Sequence, residues 1–223
     1  MKFELVRWTS NILRILSRNL DWMTWNLFLA FVPLLLSIWL FRSRQKRSPI
    51  WWAGVLVFIA FLPNAPYLLT DIIHLIHDIR ANYSVWMITL VLIPQYLLVI
   101  LAGFEAYVIS LINLGYYLHR HERSKYILWM ELTLHGLSAI GIYLGRFLRF
   151  NSWDFVTQPD AVFTSVLDDL VGKWPVVVMV VTFVIISGLY WLMKQVTLGI
   201  ILRRRLKGIQ PPSNQNHTDS PTA

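Results

Sequence analysis

Residues 63–80 read PNAPYLLTDIIHLIHDIR, and the two faces of this stretch decide how the whole chain is read. Two prolines three positions apart stop a helix and bias the residues before them toward extended geometry, whereas Pro66 suits the first turn of a new helix. A break at Pro63-Asn64-Ala65-Pro66 followed by a restart is therefore expected. Wound at about 100° per residue, the restarted segment places Asn64, Tyr67, Thr70, Asp71, His74, His77 and Asp78 on one arc and seven Leu and Ile residues on the other. Such a helix either floats at the outer surface of a membrane with its polar side in water, or folds back to line a cavity. Folded back, its amino terminus aims unpaired N–H groups at an anionic group or a developing negative charge.

The flanking sequence supplies the apolar surroundings. Of 223 residues, 56% are hydrophobic and 14% charged, with 11 Trp and a mean hydropathy of +0.53, far from the balance of a soluble domain. A crossing takes about 20 mainly apolar residues as a helix. Spans are expected at about Trp22 to Phe41, Ile50 to Leu62, Ser84 to Leu114 with a bend near Pro94, Tyr126 to Phe147, and Trp174 to Leu192 with extension to Leu202. The second is short for a crossing and halts at the proline pair. Ahead of the first span, Arg7, Arg14 and Arg18 share one helical face and Val6, Leu13, Leu16 and Leu20 another, the pattern of a helix lying among headgroups. The expected organisation is an amphipathic interfacial lead-in (1–21), a polytopic membrane domain (22–202) and a basic, then disordered, cytoplasmic tail (203–223). The fold class is an all-α integral membrane protein of about five transmembrane helices, with an N-terminal interfacial helix and a proline-broken amphipathic helix after span two.

The formal charge of +8 does not point to nucleic acid, because the Lys and Arg residues cluster beside apolar runs, where they set orientation and attract anionic headgroups. Arg42, Arg44, Lys46 and Arg47 follow span one, Arg120, Arg123 and Lys125 follow span three, and Arg203, Arg204, Arg205 and Lys207 follow span five. The opposite side holds only Arg80, Arg146, Arg149 and Lys173 beyond the lead-in, so the first set of loops and the C-terminus are expected in the cytoplasm. The lead-in's Lys2, Arg7, Arg14 and Arg18 then fall outside, a conflict that an even number of spans would remove, yet no sixth apolar stretch is present. The absence of Cys excludes disulfides, thiolate metal sites and Cys nucleophiles. No signal peptide is expected, since the opening residues lack an uninterrupted apolar core and a small-residue cleavage site.

Ionisable side chains at membrane depth cost at least about 2.5–3.5 kcal/mol on insertion scales, so each calls for a partner, a cavity or a task. An outer group joins Asp71 and His74, three apart, to the end of span four, where Arg146 and Arg149 precede Asn151 and Asp154. Asp-x-x-His orients an imidazole as a general base or contributes two metal ligands, and two guanidinium forks fit phosphate or carboxylate. No spacing here matches a zinc pattern, and no metal or cofactor is assigned. Equally, the arginines snorkel to the interface or pair with Asp71 and Asp154. An inner group consists of Glu105, Glu131 and His135, either a proton relay or a lock between two helices; Gln95 and Asn113 on span three add to a polar interior. Most Trp residues, Trp22 and Trp51 among them, fall at span ends as interface anchors. Gly-rich phosphate loops, nucleophile elbows and HExxH are all missing.

Three blocks carry a family resemblance: Trp25-Asn26-Leu27-Phe28-Leu29-Ala30; Pro63-Asn64-Ala65-Pro66-Tyr67 with Thr70-Asp71 and His74; and the run from Gly141 to Arg149 with Asn151-Ser152-Trp153-Asp154. Together they resemble an uncharacterised bacterial membrane family, domain of unknown function 1361, over roughly Trp25 to Leu202. The resemblance implies a small polytopic protein of the bacterial inner membrane and marks Asn64, Tyr67, Asp71, His74, Arg146, Arg149, Asn151 and Asp154 as important positions. It implies no activity.

Three functional readings follow. The first is transport or binding of a small anionic solute or lipid headgroup, with Asn64, Tyr67, Arg146, Arg149, Asn151 and Asp154 as binding candidates and Glu105, Glu131 and His135 as proton-relay candidates. The second is an enzyme acting on a lipid-linked phosphate substrate, with His74 as base oriented by Asp71. The third is a non-catalytic assembly or scaffold subunit. Partners are the bilayer, an anionic lipid or small anion, and a second copy in a homo-oligomer.

Overall fold

The computed structural model describes residues 2–43, 47–81, 83–149 and 173–209 together with Thr157, Asp160 and Thr164; side chains are described from Leu16 to Leu206. Asn151, Asp154, Arg44 and Lys46 lie outside the described residues. Helix α1 (Lys2–Ser37) passes into a π-helical turn at Ile38–Arg42, with Pro33 inside it. The lead-in and span one thus form one continuous helix. Helix α2 (Pro49–Phe61) is capped by Ser48, whose hydroxyl accepts from Trp51 N–H at 3.3 Å, with Pro49 in the first turn. Then come α3 (Asn64–Tyr67), a 3-10 turn at Leu68–Asp71, and α4 (Ile72–Ile79). Beyond a short loop, α5 (Val85–Met87) leads through a π turn at Ile88–Leu92 into α6 (Ile93–Arg120). Helices α7 (Ile127–Phe147) and α8 (Lys173–Ile209) are the remaining long helices among the described residues, which contain no strand.

Five stretches are long and apolar enough to cross a membrane: Leu16–Arg42, Pro49–Ile79, Val85–Arg120, Ser124–Phe147 and Lys173–Leu206. The second absorbs the proline pair. At 1.5 Å per residue α2 alone reaches only about 20 Å of a ~30 Å hydrocarbon core, and α3, the 3-10 turn and α4 supply the rest. Contrary to the expected extended geometry, Leu62 before Pro63 keeps helical angles of −54° and −40°. Each proline occupies a position whose N–H is not needed, Pro63 as the cap of α3 and Pro66 inside its first turn. Bonds from Ala65 N–H to Leu62 O (3.2 Å) and Tyr67 N–H to Pro63 O (3.0 Å) carry the winding across. The bend near Pro94 takes the form of the π turn: Ile93 N–H reaches back five residues to Ile88 O just before the proline, which has no N–H to give.

Helix α6 is the central post, packed against α1, α3, α7 and α8. Its buried Phe104, Tyr107, Val108 and Leu111 meet Leu62, Ala65 and Leu68 from the proline segment, with Leu134, Ile142 and Ile186 closing the core. Cross-helix contacts fix the direction of the proline segment. Asp71 faces Asn26, whereas Asp78 faces Asn19 and Arg18, so α4 climbs toward the end where α1 enters. Ile72, Ile73, Ile76 and Ile79 point outward and Asp71 and Asp78 inward, the reverse of a soluble amphipathic helix. This is the arrangement a hydrocarbon solvent selects.

Close approach at α3 rests on two glycines. A Cβ on Gly141 would sit 2.7 Å from both Cβ and Cγ of Pro63, and one on Gly103 would sit 2.8 Å from Leu68 Cδ2. The pyrrolidine ring has no rotamer to yield. Gly141→Ala is therefore expected to cost about 1–3 kcal/mol by overpacking, read as earlier thermal unfolding of the detergent-solubilised protein. An unchanged midpoint would mean that α3 and α7 do not touch.

Candidate functional site

The outer polar group is assembled by five elements: α1, α3, the 3-10 turn, α4 and α7. Arg146, on the last turn of α7, donates from Nη2 to the Thr70 carbonyl at 2.5 Å and toward Asp71 Oδ1 at 3.4 Å. Its Nη1 lies 3.4 Å from both Tyr67 Oη and His74 Nε2, and the guanidinium carbon sits 5.2 Å from the Tyr67 ring centroid. Asn26 of α1 approaches the second oxygen of Asp71 at 3.4 Å, and Trp22 lies 5.0 Å, centroid to centroid, from the His74 ring. Asp71 is 1% exposed, so its charge depends on Arg146 and Asn26 for compensation. The 3-10 turn matters here, because it points the Thr70 carbonyl sideways to Arg146 rather than along the helix. Adjacent to this cluster, buried Asp78 is held by Arg18, Asn19 (2.8 Å) and the Tyr96 hydroxyl (3.0 Å). Arg18, which counted against the five-span arrangement, thus has its carboxylate at the same end.

The structure brings Tyr67, Asp71, His74 and Arg146 together and separates Arg149 from them. Helix α7 ends at Phe147, and Arg149 adopts φ 60° in the left-handed region that terminates helices. Its side chain consequently leaves the stripe that a longer helix would have continued, and it is exposed. Asn64 sits on the opening turn of α3, with its amide bonded to Phe61 O at 2.9 Å. His74 and His77 are both exposed on α4, and only His74 reaches Arg146. Asp71 does not orient His74, since its two oxygens face Arg146 and Asn26. Among the described residues, no group of three or more His, Asp and Glu side chains is arranged to hold a metal ion.

The inner group is organised by α8. Glu131 accepts from Lys194 Nζ at 2.5 Å and from the Tyr190 hydroxyl at 2.6 Å. One turn on, His135 Nδ1 lies 2.7 Å from the Tyr107 hydroxyl, which is 3.4 Å from Ser138, and the Tyr190 ring stands edge-on to the imidazole at 4.7 Å. Glu105 does not join this set directly. One of its oxygens accepts from Thr197 at 2.6 Å, and the other is buried with no partner among the described residues. Nearer the basic end, Asn113 bridges Ser37 (2.9 Å) and Arg42 Nε (2.7 Å). Gln95 reaches the Leu16 carbonyl at 3.4 Å.

Sequence reasoning missed Lys194, Tyr190, Thr197, Tyr107 and Tyr96. For Lys194 the signal was present: it is the lone charged residue between Trp174 and Leu202, and an ionisable group in such a run calls for a partner. Two expected interface anchors turn inward instead. Trp22 packs on His74 and Tyr96, and Trp51 is buried with its indole N–H on Leu40 O at 3.1 Å. Both sit where the helices converge, so the indole finds protein before it finds headgroups. Trp52, Trp86, Trp129 and Trp174 are exposed.

Five crossings, an apolar exterior and polar clusters turned inward define a multi-pass, all-helical membrane protein. The chain belongs to the family described as Protein of unknown function (DUF1361), whose model matches residues 25–187. The matched stretch holds Asn26, Tyr67, Asp71, His74 and Arg146 and ends before Lys194. No curated protein and no solved structure matches the chain.

Proposed function

We propose that this chain is a bacterial inner-membrane protein, with its C-terminus cytoplasmic, that binds a small anionic solute or an anionic lipid headgroup at the polar cluster around Arg146. One observation carries this reading: three of the four contacts of the Arg146 fork are 3.4 Å long, beyond the ~2.7–3.2 Å of a well-made N–H···O bond. Its buried Nε has no partner among the described residues. A cation so loosely held has donors to give to a closer, bidentate oxyanion while Asp71 stays alongside it, and the neighbouring His74 and Tyr67 supply further polar contacts. The carboxylates of Glu131 and Glu105 lie deeper, alongside His135 and Tyr107, and a carrier would use such groups to compensate charge along its path. The enzyme reading gains nothing from Asp71, which serves Arg146.

Purified protein in nanodiscs is titrated with inorganic phosphate, succinate and glycerol phosphate while thermal unfolding is followed. At least one of the three is expected to raise the midpoint of the wild type. Arg146→Lys, which keeps the charge and loses the fork, is expected to weaken that effect about tenfold, the scale of one good bidentate contact. Equal stabilisation of both proteins, or of neither, ends the proposal and leaves the scaffold reading. In proteoliposomes loaded with a pH dye, Glu105→Gln, which keeps the Thr197 contact, is expected to abolish anion-driven pH change while leaving the unfolding midpoint within experimental error. Full retention of that signal would remove Glu105 from the path.

A further inference from the structure

At the end opposite Arg146, a cavity of about 470 Å³ opens between α6, α7 and α8 beside the last turn of span one. Its size is in the range of small-ligand sites. Its charged lining is Arg42, Lys194, Arg205 and Glu131, three cations to one carboxylate, and His119 stands among them. Glu131 is already occupied by Lys194 and Tyr190, so the cationic excess belongs to the two arginines. Arg42 is fixed in place: Nε donates to Asn113 at 2.7 Å, and the guanidinium lies 4.4 Å from the Tyr116 ring centroid. Among the described residues its Nη donors carry no hydrogen bond, and Arg205 has neither a hydrogen bond nor an ion pair. The remaining wall is apolar, with Leu198, Ile201 and Leu202 partly open to the outside of the bundle.

A free anion has no use for an apolar wall that opens sideways, and a neutral acyl chain has no use for two unpaired guanidiniums. We infer that this cavity binds an anionic phospholipid, its headgroup phosphate bridged by Arg42 and Arg205 and its acyl chain laid along Leu198, Ile201 and Leu202. The position suits this occupant. The apolar run of α8 gives way to Arg203-Arg204-Arg205 at the mouth, the level at which basic pockets between transmembrane helices meet headgroups. The inference does not depend on the polar cluster at Arg146, which lies at the opposite end of α7.

The full-length protein is mixed with phosphatidylglycerol or phosphatidylcholine in detergent, and retained lipid is counted by native mass spectrometry. Phosphatidylglycerol is expected to be retained preferentially. Arg205→Gln, at an exposed position, is expected to weaken that retention about fivefold, the factor of one basic side chain at an anionic lipid surface. Arg42→Lys separates fork from charge and is expected to show a similar loss, whereas Lys125→Gln, which removes an exposed basic charge outside the cavity, leaves retention unaltered. Equal retention of the two lipids, or retention indifferent to Arg205, overturns the inference. Displacement of phosphatidylglycerol by millimolar inorganic phosphate assigns the site to free phosphate and overturns the lipid. Loss in Arg146→Lys alone moves the lipid to the outer polar cluster, which sinks this site and leaves the proposed function standing.

Discussion

Arg146→Gln is expected to destabilise the protein by about 3–5 kcal/mol, and adding Asp71→Asn to it is expected to recover most of the loss. The physical reason is the asymmetry of a buried ion pair. Asp71 is 1% exposed, and with Arg146 gone it keeps only the distant amide of Asn26, so its carboxyl group either holds a charge the medium does not solvate or takes up a proton at a cost in free energy. The Thr70 carbonyl and the Tyr67 hydroxyl lose their donor at the same time. Neutralising both partners removes the charge problem while preserving the shapes. Unfolding of the detergent-solubilised single and double variants, followed by Trp fluorescence, measures the coupling directly. Additive losses in the double variant would mean that the two groups do not share a site.

Lys194→Met is expected to cost a comparable ~3–5 kcal/mol, because it strands Glu131 at membrane depth with only the Tyr190 hydroxyl. Here too the remedy distinguishes the cause. With Glu131→Gln added, the amide still accepts from Tyr190 and no bare charge remains, so stability returns to within about 1 kcal/mol of the wild type. Lysine carries a long apolar stem, and Met fills that volume, so lost packing contributes little. The same unfolding assay checks it. A Lys194→Met protein as stable as the wild type would place Lys194 in headgroups and Glu131 in water, and the contact between α7 and α8 would have to be redrawn.

Much of the bundle was legible because the solvent it answers to is simple. An apolar run of the right length has few ways to satisfy its backbone in hydrocarbon other than a helix, and all five runs are present in the structure. The inward turn of Asp71 and Asp78 was legible for the same reason, as part of a regular angular repeat along one segment, whereas His74 and His77 of the same arc are exposed. Arg149 shows where such counting stops: a projection assumes that the helix continues, and a left-handed residue at its end cancels the projection for every position beyond. The partners of Glu131 and Glu105 were illegible for a different cause. Their contacts span 63 and 92 positions of chain, and no local period encodes a distance of that kind.

Composition, helical period and the run of charges thus determined by themselves that this chain is a helical membrane protein whose hydrophilic side chains need shelter, because burial in lipid penalises each residue locally. Tertiary packing alone decided which of those side chains share a shelter: Arg146 with Asp71, Asp78 with Arg18, Glu131 with Lys194. Each pairing requires that helices distant in sequence meet at one depth and one rotation, and such relations arise only when surfaces like Gly141 on Pro63 lock the rods together.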